Sequence, residues 1–252
     1  LLRAKVPLSR EWVGMRQDVK TFISQCPQCQ FMQASANAIR QKAQLHPFNI
    51  GANVPWKRIA IDSAKETWHK SPSDGVERLY LERDDGGESA VATTIVRFAP
   101  GSKFDEHAHD GGEEFIVLEG TFSDEFGSYP KGTYVRNPMG SFHNPYSESG
   151  CVLFVKLRQF QTDDLEKVKI NTNKEPWLPG LVDGLSVMPL HHFNTEHAAL
   201  VKWAPNTIFN PHQHWGGEEI LVLEGVFHDE FGAYPKGSWL RSPHLSQHTP
   251  FT

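Results

Sequence analysis

Cysteine is scarce: Cys26, Cys29 and Cys151 are the only three in 252 residues. That is too few for a secreted disulfide framework, and a reducing setting fits better. No apolar run approaches the ~20 residues a membrane span requires. A mean hydropathy of −0.46 with 22% charged residues excludes membrane-embedded and disordered compositions alike. An initiating Met is missing, and the opening LLRAKVPLSREW lacks the apolar core and cleavage site of a signal peptide. The expected compartment is the cytoplasm, and the start at Leu1 is expected to mark a fragment. Acidic residues are nearly missing from the first 58 positions, where nine Lys and Arg face only Glu11 and Asp18. The head therefore carries +7 and the remainder −12 of a net −5. Two unlike units are expected, and only the head has a charge that favours nucleic acid.

What the chain does contain is a long repeat. The block FAPGSKFDEHAHDGGEEFIVLEGTFSDEFGSYPKGTYVRNPMGSFHNP from Phe98 returns without a gap as WAPNTIFNPHQHWGGEEILVLEGVFHDEFGAYPKGSWLRSPHLSQHTP from Trp203, an offset of 105. Farther upstream, WHKSPSDG at Trp68 matches WLPGLVDG at Trp177 with an offset of 109. Within each copy, short β-rich runs such as AVATTIVRF and EEFIVLEG alternate with Gly and Pro turn signals, with no sustained helical period. Two tandem all-β barrels of the jelly-roll class are expected, over residues 63–165 and 166–252. The second copy stops just after the block aligned with His143, so it is expected to lack a closing strand and to expose an edge.

Four residues recur at the offset of 105: His107, His109, Glu113 and His143 become His212, His214, Glu218 and His248. Alternation on a strand puts His107 and His109 on one face, while later strands can bring in the carboxylate and the third imidazole. Three neutral imidazoles and a carboxylate suit Zn, Fe, Mn, Ni or Cu and leave open positions for a metal that takes five or six ligands.

PGSKFDEHAHDGGEEFIVLEG resembles the first cupin motif, G-x5-H-x-H-x3-E-x6-G, with Gly101 and Gly120 at its ends and Asn206 in place of the first glycine in copy two. The wider pattern through GCVLFVKLRQF resembles the cupin domain of ChrR-type anti-sigma factors. The resemblance implies one divalent metal ion per barrel, Zn or Fe first, held by the eight residues just named. It implies a small-molecule ligand or substrate, and either dioxygenase-type chemistry or a non-catalytic sensor role. A homo-oligomer stays open.

Beside the ligands, Glu114 and Glu219 should face away from the site and are expected as surface or cross-strand pairs. Phe122, Tyr134, Phe142, Phe227 and Trp239 are expected in the core, with the lining of an apolar pocket as the alternative. The turn Ser123, Asp124, Glu125 is expected as a solvated loop, Tyr129 as part of a turn, and Cys151 as a buried thiol.

The head carries apolar residues at Trp12, Met15, Val19, Phe22, Ile23 and Cys26, the spacing of an amphipathic helix over residues 9–26 with Ser9 as N-cap. Cys26-Pro-Gln-Cys29 is half of a zinc site. WVGMRQDVKTFISQCPQCQ followed by LHPFNIGANVPWKRIAID resembles the zinc-binding region of retrotransposon integrases over residues 1–62. By that resemblance the zinc site is partial, and Asp62 alone stands for a catalytic carboxylate. One carboxylate does not hold the metal ions that nucleotidyl transfer needs, so that reaction is rejected. Weak DNA binding by the +7 head is the remaining expectation. Three readings follow: a metal-dependent small-molecule enzyme, a metal-bound sensor, and a DNA-binding remnant.

Overall fold

The computed structural model describes residues 58–84 and 90–252. The helix expected over residues 9–26 and the cysteine pair Cys26 and Cys29 lie outside the described residues. Among those residues there is no α-helix, only strands and one 3₁₀ turn at Ser63–Lys65, as the all-β pattern requires.

The first copy is built on one antiparallel sheet. Its order is Val168–Asn171, Thr133–Asn137, Glu113–Asp124, Cys151–Leu157, Ala92–Phe98, Val76–Arg83 and His69–Lys70. The twelve-residue strand Glu113–Asp124 serves two neighbourhoods. Its first part pairs with Thr133–Asn137 and Cys151–Leu157, and its last part forms a hairpin with Gly127–Pro130. Gly120 marks the change, with φ +68°, and a Cβ there would lie 2.0 Å from the Gly150 carbonyl oxygen. Only glycine fits that crossing. Asn206, which replaces the motif's first glycine in copy two, keeps the left-handed turn at φ 63°, a conformation Asn tolerates. Inside the barrel, Phe98, Phe115, Phe122 and Tyr129 pack with Val117, Val135, Cys151 and Leu153. The expectations for Phe122 and Cys151 hold. Tyr129 is more than a turn residue, being buried in this core.

The leading strands of the two repeats are exchanged. Ile59–Asp62 pairs with Ser238–Ser242 of the second copy, Ile59 opposite Arg241 and Asp62 opposite Ser238. Val168–Asn171, which precedes the second copy, pairs with Thr133–Asn137 of the first, Val168 opposite Arg136 and Asn171 opposite Thr133. Ile59 and Val168 are related by the offset of 109, so the same register is used twice. Asp62, the last residue of the integrase-like stretch, caps the 3₁₀ turn through the Ala64 N–H and pairs with Lys65.

The outer sheet faces are buried between the copies. One cluster joins Leu79, Leu81 and Ile95 to Trp239, with Ile59, Ile61 and Leu221 against it. A second joins Ile116 and Tyr134 to Val168, Met188 and Leu190. Charges are threaded through this interface. The fully buried Arg136 pairs with Glu114, Asp164 and Glu196, and Arg241 pairs with Glu82. Glu219 takes hydrogen bonds from Lys156 Nζ and Trp239 Nε1, both at 2.8 Å. Glu114 is the cross-strand partner of Arg136, as one half of the expectation has it, but neither Glu114 nor Glu219 is a surface group, because alternation turned them away from one barrel interior and into the contact with the other copy. Phe142, by contrast with the core expectation, is exposed.

The second copy is less enclosed. Ala92–Phe98 is buried at six of its seven positions, whereas no residue of its counterpart region in Glu196–Trp203 is buried. In the first copy Cys151–Leu157 lies between Ala92–Phe98 and Glu113–Asp124. Among the described residues no strand lies between Glu196–Trp203 and Glu218–Leu221.

Candidate metal centre

The site is assembled by short strands. His107 stands opposite His143 in the pair His107–Ala108 with Phe142–His143, and His212 stands opposite His248 in the equivalent pair. His109 and His214 follow two residues on, and Glu113 and Glu218 open the next strand. In the first copy the three imidazole centroids are 4.7 to 5.0 Å apart. In the second copy they are 4.6 to 4.9 Å apart.

Hydrogen bonds at the far nitrogens aim the rings. His107 Nδ1 donates to the Asp105 carbonyl at 2.9 Å, and His212 Nδ1 to the Asn210 carbonyl at 3.0 Å. A carbonyl can only accept, so Nδ1 carries the proton and Nε2 offers its lone pair inward. His143 Nδ1 lies 3.3 Å from Asp124 Oδ2, and His248 Nδ1 lies 3.4 Å from Asp229 Oδ2. Both aspartates are oriented in turn, Asp124 by the Tyr129 hydroxyl at 2.8 Å and Asp229 by Tyr234 at 3.2 Å.

The inward atoms converge in both copies. In the first copy Glu113 Oε2 lies 3.5 Å from His109 Nε2 and 3.7 Å from His143 Nε2, held by the Asn137 amide at 3.2 Å. His109 Nε2 and His143 Nε2 are buried with no hydrogen-bond partner. In the second copy His248 Nε2 lies 2.9 Å from His214 Nε2 and 3.2 Å from His212 Nε2, and Glu218 Oε2 lies 3.4 and 3.5 Å from His214 and His248. Ligands at ~2.0 to 2.1 Å from one ion are separated by about 2.9 Å at right angles and about 3.3 Å in a tetrahedron. The second copy's 2.9 to 3.5 Å lie close to these separations and the first copy's 3.5 and 3.7 Å from Glu113 lie beyond them, and an ion is what would satisfy the unpartnered His109 and His143 nitrogens. His212, His214, Glu218 and His248 could hold an ion together; in the first copy the mutual distances gather His107, His109 and His143, with Glu113 facing two of the three.

Electrostatics differ between the copies. Burial pushes Glu113 up, yet the His109 and His143 imidazoles and the Asn137 amide outweigh it and hold its pKa below the ordinary carboxylate value. Burial raises Glu218 to about 7 against the pull of Arg58. His109 is lowered by burial, and His214 by burial and the two neighbouring imidazoles to about 3. Both stay neutral and ligand-competent at neutral pH. Burial also lowers His248, while the Asp124 hydrogen bond and the Glu113 charge overcome burial and raise His143.

Asp124 corrects the expectation of a solvated acidic turn. It is buried and accepts from His143, Tyr129 and the Phe126 N–H. The signal available in the sequence was its return as Asp229 within the repeated DEFG. Asn137 was also missed, and its counterpart is Ser242.

Barrels of this topology with a histidine-lined rim define a two-barrel cupin. The ChrR cupin-like domain model matches residues 56–161 and 165–252, and the chain belongs to that family. No curated protein sequence matches the chain. Among solved structures, a candidate dioxygenase from Nostoc punctiforme is similar at TM-score 0.67 and 14% identity, over 79% of this chain and 80% of that one. An oxalate decarboxylase of Bacillus subtilis is similar at TM-score 0.54 and 14% identity, over 81% of this chain and 76% of its own. The bacterial pirin YhhW of Escherichia coli, solved with nickel(II), is similar at TM-score 0.53 and 14% identity, over 77% and 93%. At these identities the likeness is one of fold.

Proposed function

We propose that this chain is a metal-dependent bicupin acting on a small molecule, with His107, His109, Glu113 and His143 holding one divalent ion and His212, His214, Glu218 and His248 a second. The observation that carries the reading is the convergence of three imidazoles and a glutamate in each copy, with His109 Nε2 and His143 Nε2 buried and unpartnered in the first, while hydrogen bonds fix the outer nitrogens of His107, His143, His212 and His248. A bound ion supplies an open position at which dioxygen is activated or a carbonyl polarised. The chain's own part is to present neutral imidazoles, to neutralise charge with the glutamate, and to fix orientation through Asp124 and Asp229. Iron or zinc suits this donor set first.

The second reading, a zinc-bound module without turnover, is favoured by the filled first barrel. Phe122 packs 5.9 Å from the His143 ring and is backed by Phe98 and Phe115. Elemental analysis of protein purified without added metal decides between outcomes. About two equivalents are expected, falling to one in His109→Ala or His214→Ala and to none in the double variant. Iron with oxygen-dependent turnover supports the enzyme, and stoichiometric zinc without turnover supports the module. A chain carrying no metal overturns both.

A further inference from the structure

Each centre has an arginine nearby: Arg158, paired with Asp110, acts on His109 of the first, and strand exchange delivers Arg58 to the second. Arg58 directly precedes Ile59–Asp62, the strand laid on the second copy's sheet. Its guanidinium pairs with Asp229 Oδ2, the same oxygen that faces His248 Nδ1. It also approaches the Tyr234 hydroxyl at 3.4 Å and stacks over Phe231 at 4.6 Å from the ring centroid. The position related by the offset of 109 is Lys167. Its ammonium takes a different course, sitting 4.5 Å over the ring of Phe126, the counterpart of Phe231. Asp124 is left to His143, Tyr129 and the Phe126 N–H.

We infer that Arg58 makes the second centre the weaker and more easily exchanged of the two metal sites. The inference rests on the metal-binding reading above. Two effects point the same way. A carboxylate that shares its oxygen with a guanidinium returns less electron density to the imidazole N–H, so His248 is a poorer donor than His143. A fixed positive charge beside the ligand shell also repels the incoming cation, in surroundings that screen less than water. Arg58 touches none of the inward atoms, so it is a positioning residue supplied to the second copy by the leading strand of the first. The exchange thereby ties the affinity of one centre to the docking of the other repeat.

Zinc affinity in the full chain, read by competition with a chromophoric chelator, tests this. His109→Ala leaves the second centre to be measured and His214→Ala the first. With only the second centre present, Arg58→Lys is expected to tighten zinc about tenfold, the lower end of outer-shell effects. With only the first present, Arg58→Lys is expected to change nothing, and Lys167→Arg, a surface exchange that leaves the fold intact, is expected to weaken zinc about tenfold. A purely structural role for Arg58 predicts the reverse, looser zinc in the lysine variant. A second centre indifferent to Arg58→Lys, or loosened by it, overturns the inference and leaves both metal sites standing. A folded His109→Ala chain that takes up no zinc overturns the metal reading of the second copy and this inference with it.

Discussion

Asp124 stands behind the first centre at one remove: it accepts from His143 Nδ1, and its other oxygen is held by Tyr129 and the Phe126 N–H. Asp124→Asn keeps the shape and removes the charge that orients His143 and raises its basicity. Zinc affinity at the first centre is expected to fall 10- to 100-fold with the second unchanged, within the range of outer-shell substitutions. Calorimetric titration of the single-site His214→Ala chain checks it, and an unaltered affinity would exclude Asp124 from the site. At this scale the inward set was legible because a duplicated chain reads as two aligned sequences, so His107, His109, Glu113 and His143 stand out by their return. Asp124 was overlooked although it returns too, since an acidic triplet beside a glycine turn has the composition of a solvated loop. What separates the two cases is burial. Burial depends on what folds over the turn, here the Tyr129 side chain five residues on.

Strands inherit these constraints unequally. The same pattern of residues is enclosed in Ala92–Phe98 and open in Glu196–Trp203, because enclosure comes from neighbouring strands and not from the strand's own alternation. Backbone amides of Glu196–Trp203 and Glu218–Leu221 should therefore exchange with solvent well before those of Ala92–Phe98 and Glu113–Asp124. Hydrogen–deuterium exchange of metal-free protein shows this directly, and added zinc should slow exchange in both copies, since a ligand stabilises the state that binds it. Equal protection of the two copies would contradict the burial difference. The run CVLFVKL was readable as a strand from its apolar β-branched content. Its place between two others was not, because pairing partners are set by topology.

At the scale of the molecule, the decisive feature is that neither repeat keeps its own first strand. The integrase-like reading of residues 1–62 runs through WKRIAID, and the short apolar alternation of IAID carries too little information to announce a strand in another sheet. Its relation to VKIN, at the offset of 109, was the available sign. The exchange binds the copies through Trp239, which is fully buried and packed with Ile59 and Ile61. Each of those partly buried isoleucines contributes at most about 1.5 kcal/mol by burial, and the ladder to Ser238–Ser242 adds to it. A chain beginning at Ser63 is therefore expected to lose order in the second copy while the first stays folded, in contrast to one beginning at Arg58. Both carry Cys151 as their only cysteine, buried in the first barrel with its thiol pushed up to about 11 by burial. Slow thiol labelling then reports an intact first copy. A red shift of tryptophan emission, lost in Trp239→Phe, reports opening of the second. Unchanged emission in the shorter chain would show that Ile59–Asp62 is dispensable to the second barrel, whereas rapid labelling of Cys151 would show that the two repeats fold only as one unit.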